Sequence, residues 1–114
     1  KMCNVRAIVM NDPSVITAYS NDDAFEYSYF NHLLVLREKL EPVIIFSCSG
    51  KSRNYIEFIS QDTHPIISIV GTDGGFLREK SDLCVHIKSN DYQVCETAFC
   101  IVADLLVKSL KKEE

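Results

Sequence analysis

Val43-Ile44-Ile45-Phe46-Ser47-Cys48-Ser49-Gly50-Lys51-Ser52 decides the architecture. A run of β-branched and aromatic residues suits a strand covered on both faces, the kind found in parallel sheets. The run stops in hydroxyls, one glycine and a lysine, and a helical pattern begins near Arg53. Unbonded N–H groups and the helix dipole attract anions at such a start. The stretch therefore predicts a buried strand that ends in a phosphate cradle.

Working outward, apolar runs at Val5–Met10, Ile66–Val70 and Leu83–Ile87 alternate with stretches of helical period. That alternation predicts an α/β fold, a parallel sheet with helices on both faces in three layers. Asn11-Asp12-Pro13-Ser14 is a turn and a possible helix start. Ser20-Asn21-Asp22-Asp23 resembles a cap before a helix over Ala24–Lys39. Gly71-Thr72-Asp73-Gly74-Gly75 closes the third strand, a short helix is expected over Phe76–Lys80, and Ser89-Asn90-Asp91 caps a last helix over Tyr92–Lys112.

At 114 residues and 46% hydrophobic content, residues 1–114 make one domain that can bury a core but is small for a layered α/β fold. Burial against a partner chain is therefore expected. A net charge of -4 with scattered basic residues argues against a nucleic-acid surface. Lys108, Lys111 and Lys112 suit a solvated helix end.

The five cysteines, Cys3, Cys48, Cys84, Cys95 and Cys100, form no C-x-x-C pair and read as reduced core residues of a cytoplasmic protein. No apolar run approaches the roughly 20 residues of a membrane span. Lys1-Met2-Cys3-Asn4 does not open a signal peptide. A strand pattern starts almost at once and the first residue is not Met, so an upstream segment is expected to be missing.

On the last helix, Cys95, Phe99, Val102, Leu106 and Leu110 step at helical spacing as a core stripe or subunit contact. Gln93, Glu96, Cys100 and Asp104 share a second side. A buried carboxylate is expensive, so Glu96 and Asp104 must each reach solvent, a partner or a ligand.

Gly50-Lys51-Ser52 invites a nucleotide P-loop, but that motif needs a glycine where this chain has Ile45. What remains is a loop suited to a phosphomonoester through Ser47, Ser49, Ser52 and nearby N–H groups. Serines that merely cap the helix are the plain alternative. His32, His64 and His86 share no metal-ligand spacing with the cysteines and read as structural or surface residues. The sequence does not bring one to Ser47 or Ser49 as a Ser-His-Asp triad would require.

Four segments in order then resemble a sugar isomerase (SIS) domain of the phosphoheptose isomerase family, over nearly the whole chain. They are Ala18-Tyr19-Ser20-Asn21-Asp22 leading to Phe25-Glu26, Ile45–Ser52, Ile69–Gly75, and Ser89-Asn90-Asp91-Tyr92-Gln93. The resemblance implies a flavodoxin-like αβα sandwich whose N-terminal part is absent from this chain. It also implies a homotetramer or dimer with phosphosugar sites between subunits.

By position, the resemblance assigns the sugar phosphate to Ser47, Cys48, Ser49 and Ser52, with Asp22, Gln93 and Glu96 facing substrate. Cys48 and Lys51 stand where the family has Thr and Asn, and Lys51 adds a charge that favours an anion. The family moves a proton between adjacent sugar carbons with a glutamate and a histidine. That glutamate matches no residue of this chain, and the histidine position holds Asp104. An Asp near its ordinary pKa of about 4 is a poor acid at neutral pH.

Glu96 and Asp104 lie about 12 Å apart along a helix, too far to share a proton. Some family members hold a metal near these positions, and two carboxylates could retain one, although no cofactor is required. Three functions follow. The first is sedoheptulose 7-phosphate aldose–ketose isomerisation, completed by residues outside this chain, with Asp104 at the catalytic histidine position. The second is a non-catalytic phosphosugar sensor or assembly scaffold. The third is a fragment that only dimerises through its last helix. The residues alone leave open whether the chain turns over substrate, and neither nucleic acid nor membrane is an expected partner.

Overall fold

The computed structural model describes residues 5–36, 42–61 and 64–111. Helix α1 runs Pro13–Asp22, with Asp12 as its N-cap and Pro13 opening the first turn. The Asp12 carboxylate accepts the Ser14 N–H at 2.9 Å, which satisfies one of the orphan donors every helix start carries. A 3₁₀ turn, Phe25–Tyr27, leads into α2, Ser28–Leu36. Strand β1 is Val43–Ser47, followed by α3, Arg53–Gln61, β2, Ile66–Val70, α4, Gly75–Lys80, β3, Leu83–His86, and α5, Tyr92–Lys111.

The three strands are parallel in the order β1-β2-β3. Ile45 pairs with Ser68 and Ser68 with Cys84, while Phe46 pairs with Ile69 and Ile69 with Val85. Because side chains alternate along a strand, this register sorts the sheet into two faces. One carries Ile45 and Val70 into a core with Phe58, Ile66 and Leu77, sealed by Tyr29, Phe30, Leu33, Tyr55 and Ile59 from α2 and α3. Tyr29 and Tyr55 stack with ring centroids 5.8 Å apart. Asp82 fixes the sheet's lower end, its Oδ2 accepting the Ile66 N–H at 2.7 Å.

The second face carries Ile44, Phe46, Leu83 and Val85, all exposed, and meets α5 where Phe46 and Phe99 pack with ring centroids 5.7 Å apart. Helices thus lie on both faces of a parallel sheet, as expected, but the second layer is thin.

Several expectations change. Strand β1 is not covered on both faces, because Ile44 and Phe46 stay exposed where little of α5 lies over them. Val5–Met10 is not a strand: its backbone pairs with nothing in the sheet and Val5, Ile8 and Val9 are exposed. An apolar run makes a strand only where a ladder neighbour takes its N–H and C=O groups, and this run has none among the described residues. Ser20, Asn21 and Asp22 finish α1 instead of capping the next helix, which starts later than expected, after the 3₁₀ turn. Residues 37–39, the expected end of that helix, lie outside the described residues.

The stripe on α5 is not a core either. Only Cys95 is buried, Phe99 and Val102 are half-buried, and Leu106 and Leu110 are exposed. The helix runs past the sheet it starts on, so helical spacing supplied an apolar face with too little sheet beneath it. The cysteines divide in the same way: Cys95 is buried, Cys48 and Cys84 are half-buried and Cys100 is exposed, all four as free thiols. Cys3 lies outside the described residues.

Candidate functional site

Ser47 ends β1 at the carboxyl edge of the sheet, the edge at which open α/β folds hold ligands. Its Oγ accepts the Gly50 N–H at 3.0 Å, and Ser49 Oγ accepts the Lys51 N–H at 3.2 Å. Both hydroxyls act as acceptors within the loop, which leaves each hydroxyl proton for another acceptor. Hydrogen bonding in α3 begins with the Tyr55 N–H to the Ser52 carbonyl at 3.0 Å. The N–H groups just before it are the orphan donors of a helix start. Asn54 is buried in that first turn, and its Oδ1 has no hydrogen-bond partner among the described residues.

Gly50 sits at φ +65°, where a Cβ would run into the Gly74 carbonyl. The loops after β1 and β2 can therefore touch backbone to backbone. They are sewn together by the Gly71 N–H to the Ser47 and Cys48 carbonyls at 3.2 and 3.1 Å, and by the Leu77 N–H to the Gly50 carbonyl at 3.2 Å.

Thr72 joins three segments. It sits at φ +45°, an uncommon conformation for a β-branched residue. Its N–H donates to the Ser89 carbonyl at 2.9 Å and its Oγ1 to the Cys48 carbonyl at 3.3 Å, and its own carbonyl lies 2.7 Å from His86 Nε2. A carbonyl only accepts, so His86 carries its proton on Nε2. His86 is thus a structural residue, as the sequence suggests.

Asp73 follows. Its Oδ2 lies 2.8 Å from Lys51 Nζ and its Oδ1 accepts the Gly75 N–H at 3.1 Å. The bond from Lys51, then that from Gly75, holds the Asp73 carboxyl below its ordinary pKa, and the bond to Asp73 pushes Lys51 up.

The start of α5 closes the arrangement. Asp91 Oδ1 accepts the Gln93 and Val94 N–H groups at 2.8 and 3.3 Å, the cap the sequence predicts. Cys48 Sγ reaches the Tyr92 carbonyl at 3.9 Å. Burial, then the charge of Glu96, then Cys95 pushes the Cys48 thiol up.

The fold brings together Ser47, Cys48, Ser49 and Ser52 in one loop, with Glu96 close enough to act on Cys48 through space. Gln93 is exposed in the first turn of α5. Asp22 ends α1, is exposed and bonds Asn21 Nδ2 at 3.3 Å. No hydrogen bond ties it to the serine loop among the described residues. Glu96 and Asp104 both reach solvent.

Asp104 is two turns beyond Glu96, about 12 Å along the axis. Among the described residues no three His, Cys, Asp or Glu side chains gather as a metal donor set. The charge of Lys51, expected to be available to an anion, is engaged by Asp73.

Sequence reasoning passed over Asp73, Thr72 and Tyr92 as site residues. It also missed the Arg53–Glu26 ion pair at 3.2 Å, which ties the segment after Asp22 to the first residue of α3. The signal for Asp73 was its place beside two glycines after a strand. Its partner, 22 residues away in the chain, is a product of the fold.

No family model matches the chain. Among curated proteins, the phosphoheptose isomerase of Geobacter metallireducens is 32% identical over 108 residues, covering 89% of this chain and 57% of that protein. That of Cytophaga hutchinsonii is 26% identical over 91 residues, covering 77% and 48%. The chain spans about half the length of the curated relatives it matches.

Two solved structures share the fold. Phosphoheptose isomerase GmhA from Neisseria gonorrhoeae has a TM-score of 0.81 at 20% identity, covering 88% of this chain and 59% of that one. A phosphoheptose isomerase from Francisella tularensis has a TM-score of 0.83 at 17% identity, covering 90% and 57%. With the ordered segments that carry the resemblance now set on this parallel αβα framework, the chain is similar in sequence to curated phosphoheptose isomerases and shares the fold of two solved ones.

Proposed function

We propose that this chain binds a sugar phosphate through the Ser47–Ser52 loop and contributes that site to a sedoheptulose 7-phosphate isomerase. The observation that carries the reading is the serine loop itself. Its hydroxyls donate no hydrogen bond among the described residues, and it is fastened to the loop after β2 at the carboxyl edge of the sheet. A phosphomonoester needs such donors, and the names of the curated relatives supply the sugar. Ser47, Ser49 and Ser52 bind the phosphate beside Cys48, with Asp22, Gln93 and Glu96 on the sugar side. The protein works in the cytoplasm as a homotetramer or dimer and requires no cofactor.

A specific observation favours the alternative of a non-catalytic phosphosugar sensor or scaffold. By the resemblance read from the sequence, Asp104 stands where the family has its histidine, and its carboxylate is exposed on α5. The experiment is calorimetric titration with sedoheptulose 7-phosphate, paired with an assay for the aldose product. Binding with turnover supports the isomerase. Binding without conversion above buffer transfers the site to the sensor. No binding removes the phosphosugar reading.

A further inference from the structure

Lys51 is the residue of the serine loop whose part in ligand binding the chain's resemblances do not supply. Its ammonium lies 2.8 Å from Asp73 Oδ2, with the two side chains 60% and 65% exposed. An ion pair so open contributes little to folding, and the loops it bridges are already joined by backbone hydrogen bonds from Gly71 and Leu77. The pair is therefore not needed to hold the loops together.

Its geometry is nevertheless specific. The Lys51 stem crosses Gly75 so closely that a Cβ there would fall 2.6 Å from Lys51 Cγ. Asp73 is fixed at its other oxygen by the Gly75 N–H at 3.1 Å. Tyr92 at the start of α5 also acts on the Lys51 charge through space, and the Tyr92 carbonyl is within 3.9 Å of Cys48 Sγ. The ammonium thus stands where the β1–α3 loop and the β2–α4 loop meet. A lysine carries three N–H donors, and Asp73 takes one. A phosphoryl dianion brings more charge than a carboxylate and competes for that cation.

We infer that Lys51 is a specificity-determining residue for a phosphoryl dianion, held in reserve by Asp73 until the ligand's phosphate draws it away. This rests on the proposal that the serine loop binds a sugar phosphate, and it adds a cationic contact that sets the preference for phosphorylated over unphosphorylated sugar.

The test is calorimetric titration of the chain with sedoheptulose 7-phosphate at low and moderate salt. It compares wild type, Lys51→Met, Asp73→Asn, the Lys51→Met/Asp73→Asn pair, and a Ser47→Ala/Ser49→Ala/Ser52→Ala variant. Lys51→Met is expected to weaken binding about tenfold, the scale of one charge-assisted hydrogen bond, and to flatten its salt dependence. Asp73→Asn is expected to tighten binding severalfold with Lys51 present and to change it less than about twofold without it. Both side chains are exposed, so folding should tolerate the changes, and circular dichroism melts check this.

If Lys51→Met binds as wild type while the serine variant loses binding, the Lys51 inference is overturned and the phosphate loop stands. An Asp73→Asn effect that is equal with and without Lys51 overturns it as well. If wild type does not bind, the phosphosugar reading itself falls, and the Lys51 inference falls with it.

Discussion

Cys95 Sγ lies against Gly71, so closely that a Cβ on Gly71 would collide with it. Cys95 is the buried residue of α5, and Gly71 follows β2, where its N–H holds the loop after β1. This contact is where α5 docks on the edge of the sheet that carries the serine loop. A larger residue at either position must push the helix away or disturb the loop.

Gly71→Ala is therefore expected to destabilise the chain by about 1–3 kcal/mol, the usual cost of overpacking a filled site. In a Cys95→Ala background the sulfur is gone and the added methyl meets less, so the penalty should shrink. Chemical denaturation of the two single variants and the double variant measures this coupling. Equal costs of Gly71→Ala in both backgrounds would mean that the contact does not govern the docking of α5.

The Asp73 carboxylate should report its own ionisation through the Gly75 amide, which donates to it at 3.1 Å. Asp73 is held below its ordinary value of 3.8, first by the bond from Lys51 and then by Gly75. Its stabilising share is present above the unfolded pKa and lost as pH falls through the lower folded one. Lys51 is raised above 10.5, so its share is present below the unfolded pKa and lost as pH rises through the folded one. The pair is therefore intact across neutral pH. An NMR titration of the Gly75 amide should give a midpoint below 3.8, moving upward in Lys51→Met. A midpoint at or above 3.8 in the wild type contradicts the assignment.

Cys48 should be a sluggish nucleophile despite its place in the loop. Burial, then Glu96, then Cys95 raises its pKa above the ordinary 9.0, so near neutral pH little thiolate is present. Exposed Cys100 is expected to react first with iodoacetamide, as read by mass spectrometry of the labelled peptides. Glu96→Gln removes one raising charge and should speed Cys48 alkylation measurably, leaving Cys100 unchanged. No change at Cys48 would show that Glu96 does not face the loop.

The sequence determined the local elements that follow from short-range rules. The Val43–Ser47 run made a strand because β-branched and aromatic side chains fit a pleated, half-buried surface. Asp91 capped α5 because an acceptor at that position meets orphan N–H groups a few residues away. The missing glycine at Ile45 ruled out a nucleotide P-loop without any coordinates. The order of the motifs carried the family resemblance, since they lie in one chain and need no neighbour to be read.

The tertiary structure decided what depends on a partner distant in sequence. Val5–Met10 has strand composition yet makes no strand, because a strand exists only where another supplies its hydrogen bonds. The α5 stripe has core spacing yet is mostly exposed, because periodicity gives a face and says nothing of what lies against it. Asp73 became part of the site through Lys51, and Cys48 came under the charge of Glu96, because folding brought together residues tens of positions apart in the chain. Residue chemistry along the chain pointed to a loop suited to an anion. Which charges stand beside that loop is a property of three loops meeting at one edge of the sheet.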